Sequence, residues 1–558
     1  MALDTHFLAR GLITQAQLDA AVAEQAATGE RLDRALVRLG MLSRSEALAA
    51  LAEEFQLPVI DPASLAVEPD VLAALPPKIV FRHRCVPIAR AGRTLTVAVA
   101  DPFDQAVSDE LRLIAGGPVD LVLADEDELA KFIRAHYGVG GDTLDAMAAG
   151  LPGQVEVKAS DDAEQAQEAS VIKLVNDLLV EAIAERATDV HVEPYEHELI
   201  VRYRIDGVLQ KANVPAAINR FGPAIISRLK IMASLNIAEK RRPQDGRISF
   251  KARIPNAAPQ EFDLRVSIIP MLFGEGVVLR VLSKTAVLMS LNDLGMPDGI
   301  LASWDTLIAR PHGILLVTGP TGSGKSTTLY ASLNRIVSDA IKIITVEDPV
   351  EYHVAGVNQI QVNHKVGLDF ASGLRSILRH DPDVVLIGEI RDKETAETAI
   401  QASLTGHLVF STLHTNDAPG AATRLLDMGV EPFLIASSVE GILAQRLVRR
   451  ICKECAQIIT PDPADLPKDF VLPATGRLRR GAGCRACRNT GYRGRLGVYE
   501  LLRVSEALRH LIAEREPGPV LASKAKAEGN LATLLDDGYE KVRAGSTTLE
   551  EVLSAVSA

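Results

Sequence analysis

The nine residues GPTGSGKST, Gly319–Thr327, constrain this chain more than any other stretch. They carry the spacing G-x-x-x-x-G-K-[S/T], follow the apolar run GILLVT and open the helical pattern STTLYASLNRIV. A strand that turns through glycines into a helix presents a curl of backbone N–H groups where the helix dipole is positive. That curl suits a polyphosphate, and it commits its surroundings to a parallel α/β sheet. Gly319, Pro320, Thr321, Gly322, Ser323, Gly324, Lys325, Ser326 and Thr327 are therefore expected to hold a nucleotide. Lys325 would reach the β- and γ-phosphates, and the Ser326 hydroxyl would ligate Mg2+.

Two further apolar runs end in acid. IKIITVEDPVEY carries Glu347, Asp348 and Glu351, and PDVVLIGEIRD carries Glu389. Parallel sheets collect ligands at the carboxyl ends of their strands, so these acids are expected beside the phosphate loop; each taken singly could equally be a helix cap or a solvated strand end. Gly388 stands where a phosphate-loop ATPase usually places its magnesium aspartate, and Glu389 follows it. The alternating run GHLVFSTLHT sets His414 at a strand end beside Glu389, while a histidine on an apolar strand is commonly a satisfied core residue.

The 558 residues allow about three or four domains. A net charge of −12 and an aromatic content of 4%, with Trp304 the sole tryptophan, argue against a nucleic-acid coat or a base-stacking surface. No run approaches the ~20 apolar residues that cross a bilayer, and MALDTHFLARGL lacks the features of a signal peptide. A cytoplasmic protein is expected, with any membrane role peripheral.

Residues 1–55 hold a weak helical repeat, GLITQAQLDAAVAEQ and GMLSRSEALAALAEE, each opened by a Thr or Ser cap. Residues 56–139 read as a small α/β domain, and 140–169, rich in glycine, acid and small residues, as a flexible linker. Residues 170–290 alternate as an α+β unit, and 291–558 as the α/β domain around the phosphate loop. In the α+β unit Arg202 and Arg204 share one face of a strand, with Arg265 and Arg280 on later strands. Such guanidiniums can meet the charge of a transferring phosphoryl group, although a lone arginine is commonly just solvated surface.

Of five cysteines, four form CKEC (Cys452, Cys455) and CRAC (Cys484, Cys487), inside a module at about 450–497. Two C-x-x-C pairs make a closed tetrahedral site for Zn2+, structural rather than catalytic, with disulfides or free thiols as the other readings. Cys85 stands alone and reads as a buried thiol.

The stretches GPTGSGKST, ITVEDPVEY, DPDVVLIGEIRD and TGHLVFSTLHTND together resemble the signatures of the secretion ATPase superfamily, the type II secretion and type IV pilus assembly ATPases. RATDVHVEPYEHELIVRYRIDGVL, RRPQDGRISF and DMGVEPFLIASSVEGILAQRLVRRIC, with the tetracysteine insert, resemble its extension branch, and the wording looks nearer to type II secretion. The resemblance implies a RecA-like P-loop domain preceded by an α+β, PAS-like domain and small N-terminal domains. It implies ATP hydrolysis with Glu347 as the base, Glu389 supporting Mg2+ through water, His414 sensing the γ-phosphate, and Arg202, Arg204, Arg265 and Arg280 set against the nucleotide. It also implies a homo-hexamer acting on an inner-membrane platform and on the cytoplasmic domain of a bitopic membrane protein, to assemble pseudopilin or pilin. The N-terminal repeat resembles a cyclic-di-GMP-binding module, but has no RLG before Gly11, reads Arg31-Leu32-Asp33 ahead of the Arg38-Leu39-Gly40 that opens its second copy, and ends in Glu54 instead of Gln. An added acid repels a diphosphate, so docking to a membrane partner is expected there. A DNA-uptake or conjugation translocase and a non-hydrolysing nucleotide-gated scaffold are the rival classes.

Overall fold

The computed structural model describes residues 3–28, 31–103, 105–149, 168–252, 260–283 and 289–557. They divide into two compact units, one reaching Val281 apart from Gln260–Phe262, the other running from Leu282 to the C-terminus.

The first unit begins with helices Leu3–Ala9, Gln15–Thr28, Leu32–Arg38 and Arg44–Phe55. The repeat's caps form as its sequence dictates. Ser43 and Glu46 exchange hydrogen bonds in a capping box, and the Thr14 backbone donates to Gln17 at 2.8 Å. Phe7, Ile13, Leu18, Leu36 and Leu42 fill the module's core. Strands β1 (Cys85–Ala91), β2 (Thr94–Val99) and β3 (Val119–Leu123) follow as a sheet, β1 antiparallel and β3 parallel to β2. Cys85 is buried in β1, and burial pushes its thiol up to about 12.

The segment read as a linker from 140 to 169 is structured at its first end. Gly141–Ala149 is a helix with Leu144 buried, and Asp142 pairs with Lys173 in the next helix, Ala169–Ala184. Low hydrophobicity concealed it, because few apolar residues suffice where a neighbouring helix supplies the rest of the core. Residues 150–167 lie outside the described residues.

Strands β4 (Asp189–Pro194), β5 (Leu199–Ile205), β6 (Val208–Lys211), β7 (Gln244–Ala252), β8 (Gln260–Met271) and β9 (Gly274–Ser283) form a sheet of order β6-β5-β4-β9-β8-β7. Alternation divides its faces. Val190, Val192, Val201 and Tyr203 are buried, and the Tyr203 hydroxyl donates to the Leu178 carbonyl of helix Ala169–Ala184 at 3.0 Å. The opposite face carries Asp189, His191, Arg202, Arg204 and Arg280, with Asp189 registered against both Arg204 and Arg280.

The second unit is built on β10 (Gly313–Thr318), β11 (Ile343–Glu347), β12 (Val357–Gln361), β13 (Val384–Ile387), β14 (Leu408–Leu413) and β15 (Val439–Ile451). All pair in parallel, in the order β12-β11-β13-β14-β10-β15. Each core strand is wholly buried, as helices on both faces require. β15 departs from simple alternation: it runs past the sheet edge and pairs antiparallel with β18 (Tyr492–Arg503). Between them sit the hairpin β16 (Ala456–Ile459) and β17 (Leu478–Gly481), which carry the cysteine module.

Trp304, 0% exposed in helix Asp298–Ile308, donates its indole N–H to Ser332 at 2.9 Å and ties that helix to the one after the phosphate loop. Replacing Trp304 by Ala is expected to cost this unit about 3–5 kcal/mol. Denaturant titration followed by circular dichroism reads it, and an unshifted transition would contradict the packing described.

Candidate active site and metal centre

The parallel strands end at one edge, and the glycine-rich loop, Glu347, Glu389 and His414 emerge there. β10 leads through Gly319–Gly324 into helix Lys325–Ile336. Lys325 folds back over the loop, its ammonium donating to the carbonyls of Gly319 at 2.8 Å and Pro320 at 3.0 Å. Burial pushes it down to about 8; Glu389 opposes the shift and Arg446 reinforces it. Ser326 is exposed at the helix start. The Ser323 hydroxyl is 3% exposed and has no hydrogen-bond partner among the described residues. A buried donor without a partner, beside a cation at a helix N-terminus, fits a phosphate oxygen.

The loop is pinned from two sides. Thr318 Oγ1 lies 2.7 Å from Thr415 Oγ1 and accepts the Thr415 N–H at 2.9 Å, which joins β10 to the turn after β14. Thr328 donates to Gln445 of β15 at 2.7 Å. Thr415 and Gln445 carry no chemistry-bearing pattern in sequence; only the fold brings them to the loop.

Glu389 and His414 meet as expected, with His414 Nε2 3.0 Å from Glu389 Oε2, while Arg391 pairs with the other carboxylate oxygen. Gly388 has a packing reason. A Cβ there would stand 3.1 Å from the Phe370 ring and 3.4 Å from the Glu347 Cα, so no aspartate fits without displacing that ring.

Glu347 is 5% exposed, and both its oxygens are engaged. Tyr330, in the helix after the loop, donates to one; Thr345 at 2.5 Å and Gln359 at 3.2 Å donate to the other. Burial and the neighbouring Glu347 together hold the Tyr330 phenol well above its ordinary value. Asp348 faces His364 at 3.5 Å, and the Glu351 N–H donates to the Tyr330 hydroxyl at 3.3 Å. The acids thus share the sheet edge but face different partners.

In the first unit a cavity of about 560 Å³ opens on the polar sheet face, lined by Asp189, Asp245, Arg247, Arg265, Ser267 and Arg280 among others. Arg280 reaches Asp189 at 3.2 Å and Arg204 reaches it at 3.7 Å. Arg202 turns to Glu193 instead. Arg247, within RRPQDGRISF, was not singled out from sequence, although β7 alternates there, with Ile248, Phe250 and Ala252 buried between exposed residues.

Cys452, Cys455, Cys484 and Cys487 bring their sulfurs within 4.8 Å of one another. The pairs Cys452–Cys484 and Cys455–Cys487 stand at 3.8 Å and Cys484–Cys487 at 3.7 Å. A zinc ion with Zn–S bonds of about 2.3 Å spaces its thiolates by about 3.8 Å, whereas a disulfide needs about 2 Å. The donor set and its spacing fit Zn2+. Burial pushes the Cys487 thiol up, yet the N–H groups of Cys484 and Gly491, at 3.1 and 3.2 Å, bring it down to about 7.

A glycine-rich loop at the carboxyl edge of a doubly wound sheet, with its lysine and converging acids, defines a phosphate-loop ATPase. The family model described as type II/IV secretion system protein matches residues 164–554, and the MshEN domain model matches 55–143. The chain belongs to the type II/IV secretion system protein family, and it is an ATPase. It is 42% identical over 554 residues to the type IV pilus assembly ATPase PilB of Myxococcus xanthus, covering 97% of this chain and 96% of that one. It is 42% identical over 541 residues to type II secretion system protein E of Xanthomonas campestris pv. campestris, covering 95% and 94%. The Pseudomonas aeruginosa type II secretion system protein E is 47% identical over 468 residues, 82% of this chain and 91% of that one. The X-ray structure of the Yersinia pseudotuberculosis ATPase DotB matches with a TM-score of 0.51 at 20% identity, covering 68% and 92%, a likeness of fold alone. Among the described residues no helix is long and apolar enough to cross a membrane.

Phosphate held by this loop would need its lysine charged, so binding above the lysine's pKa would take up a proton. Apparent ATP affinity is therefore expected to fall as pH rises past about 8, approaching about tenfold per unit. Titration of the full chain with a fluorescent ATP analogue reads this, and a flat profile up to about pH 9.5 would contradict it. Chelation is expected to release about one zinc ion per chain, and Cys484→Ser to lose it, as metal analysis would read.

Proposed function

We propose that this chain is the motor of a type II secretion system, hydrolysing ATP to drive assembly of pseudopilin subunits. The observation that carries the reading is the joint arrangement of Lys325, Glu389 and His414 at one sheet edge, in a chain of this family. Gly319–Thr327 cradles the triphosphate, Lys325 meets the β/γ-phosphates and Ser326 ligates Mg2+. When bound, the metal neutralises phosphate charge; the chain's own groups orient the reactants.

Glu347 is assigned as the base that polarises the attacking water, after Tyr330 gives up its hydrogen bond. Glu389 supports the metal through water, and His414 relays the presence of the γ-phosphate through its bond to Glu389. Arg265 and Arg280, with Arg202 and Arg204, offer guanidiniums for the phosphoryl charge. Cys452, Cys455, Cys484 and Cys487 hold Zn2+ as a structural clamp. Six copies form the ring, peripheral to the inner membrane and docked on a membrane platform and a bitopic partner. The helical module serves docking; its Arg31 is engaged by Asp33 and Asp101 and lies 4.4 Å over Phe103.

Type IV pilus extension is the second reading, favoured by the match to the Myxococcus xanthus relative, which covers 97% of this chain and 96% of that one. Deleting the gene and scoring secreted enzymes against surface pili separates the two. Turnover assays on the full chain test the chemistry. Lys325→Ala and Glu389→Ala are each expected to abolish hydrolysis in protein that melts like wild type, and Glu347→Gln to slow it by at least about a hundredfold. Unchanged turnover in Lys325→Ala would defeat the motor reading, and several-fold stimulation by DNA would favour a nucleic-acid translocase.

A further inference from the structure

Arg446 follows Gln445 on β15 and is 3% exposed. Its guanidinium is spent on neutral oxygens. Nε donates to the Ala555 carbonyl in helix Leu549–Ser557 at 3.2 Å. One terminal nitrogen donates to the Asn416 carbonyl at 3.0 Å and its side-chain oxygen at 3.3 Å, the other to the Gln445 carbonyl at 3.3 Å. Among the described residues no carboxylate forms an ion pair with it; Glu500 and Asp417 attract it only through space. Glu500 is occupied with the N–H groups of Ala418 at 2.7 Å and Leu534 at 3.2 Å.

A buried cation without a carboxylate partner is costly, and folds keep one where an anion arrives from outside. Arg446 lies where that anion would be felt. A Cβ on Gly319 would stand 3.2 Å from its terminal nitrogen, which sets the guanidinium directly beneath the first residue of the phosphate loop. Its other partner, Asn416, sits two residues beyond His414, and Thr415 between them bonds Thr318.

We propose that Arg446 is a positioning residue for the nucleotide: a cation held under the phosphate loop that ties β15, the strand beneath the loop, to the His414–Asn416 turn and to the C-terminal helix, and whose charge is balanced when the polyphosphate binds. This rests on the reading that Gly319–Thr327 takes the nucleotide. Burial holds Arg446 below its ordinary value against the pull of Glu500 and Asp417, and Arg446 in turn helps to push Lys325 down. An arriving anion relieves both.

Fluorescent analogues of ATP and ADP, titrated against the full chain, test it. Arg446→Gln, which keeps polarity and loses charge, is expected to weaken ATP binding by about tenfold or more. Arg446→Lys, which keeps charge and loses the fork, is expected to stay within about threefold of wild type. The Gln variant should also show a shallower salt dependence of ATP affinity, a readout that packing alone does not move. Wild-type affinity in Arg446→Gln, or equal losses in the Gln and Lys variants, would overturn the proposal. Lys325→Ala is the control: if it binds ATP like wild type, the loop reading itself has failed, whereas its loss beside an unaffected Arg446→Gln sinks only the inference. Should Arg446→Gln not fold, Arg446→Lys decides, with affinity near wild type supporting the proposal and a loss of about tenfold overturning it.

Discussion

The phosphate loop can curl only because nothing larger than hydrogen stands on Gly319 and Gly324. Their φ angles are +144° and +90°, and β15 presses on both. A Cβ at Gly319 would lie 2.4 Å from the Gln445 carbonyl oxygen, and one at Gly324 would lie 2.8 Å from its side-chain nitrogen. Backbone and floor are thus fitted to each other, and every functional contact around Lys325 follows from that fit. The loop's glycines serve the strand beneath as much as the phosphates above.

From this contact the rest of the unit acquires its connections. Gln445 holds Thr328, at the start of the loop's helix, while Thr318 at the other end of the loop holds Thr415. The turn so fixed presents His414 to Glu389. β15 then continues past the sheet to Cys452, so one strand runs from the floor of the nucleotide site into the cysteine module. Stiff, hydrogen-bonded elements of this kind transmit a change at one end as a shift at the other, where a mobile loop would absorb it. A chain that couples hydrolysis to movement needs such connections.

Much of this was legible in the residues. The strand–loop–helix around GPTGSGKST, the acid-tipped strands, the helix caps at Thr14 and Ser43 and the paired C-x-x-C turns each follow from local chemistry, because the period, the cap or the ligand spacing lies within a few residues. Gly141–Ala149 escaped because its apolar face is short and is completed by another helix. Tyr330, Gln445 and Arg446 escaped for a different reason. Each acts through a partner distant in sequence, Glu347, Thr328 or Asn416, and no local pattern announces such a pair.

The sequence by itself determined that a glycine-rich strand–loop–helix turn, a set of acidic strand ends and a pair of C-x-x-C turns exist, since each is written in short-range spacing. Which acid faces outward was a matter for tertiary structure. Glu347 and Glu389 end similar strands, yet Tyr330, Thr345 and Gln359 enclose one while His414 and Arg391 hold the other at the loop's side. That difference arises from strand order and from the helices packed across each strand. Both are set by burial of the whole sheet rather than by any residue's neighbours along the chain.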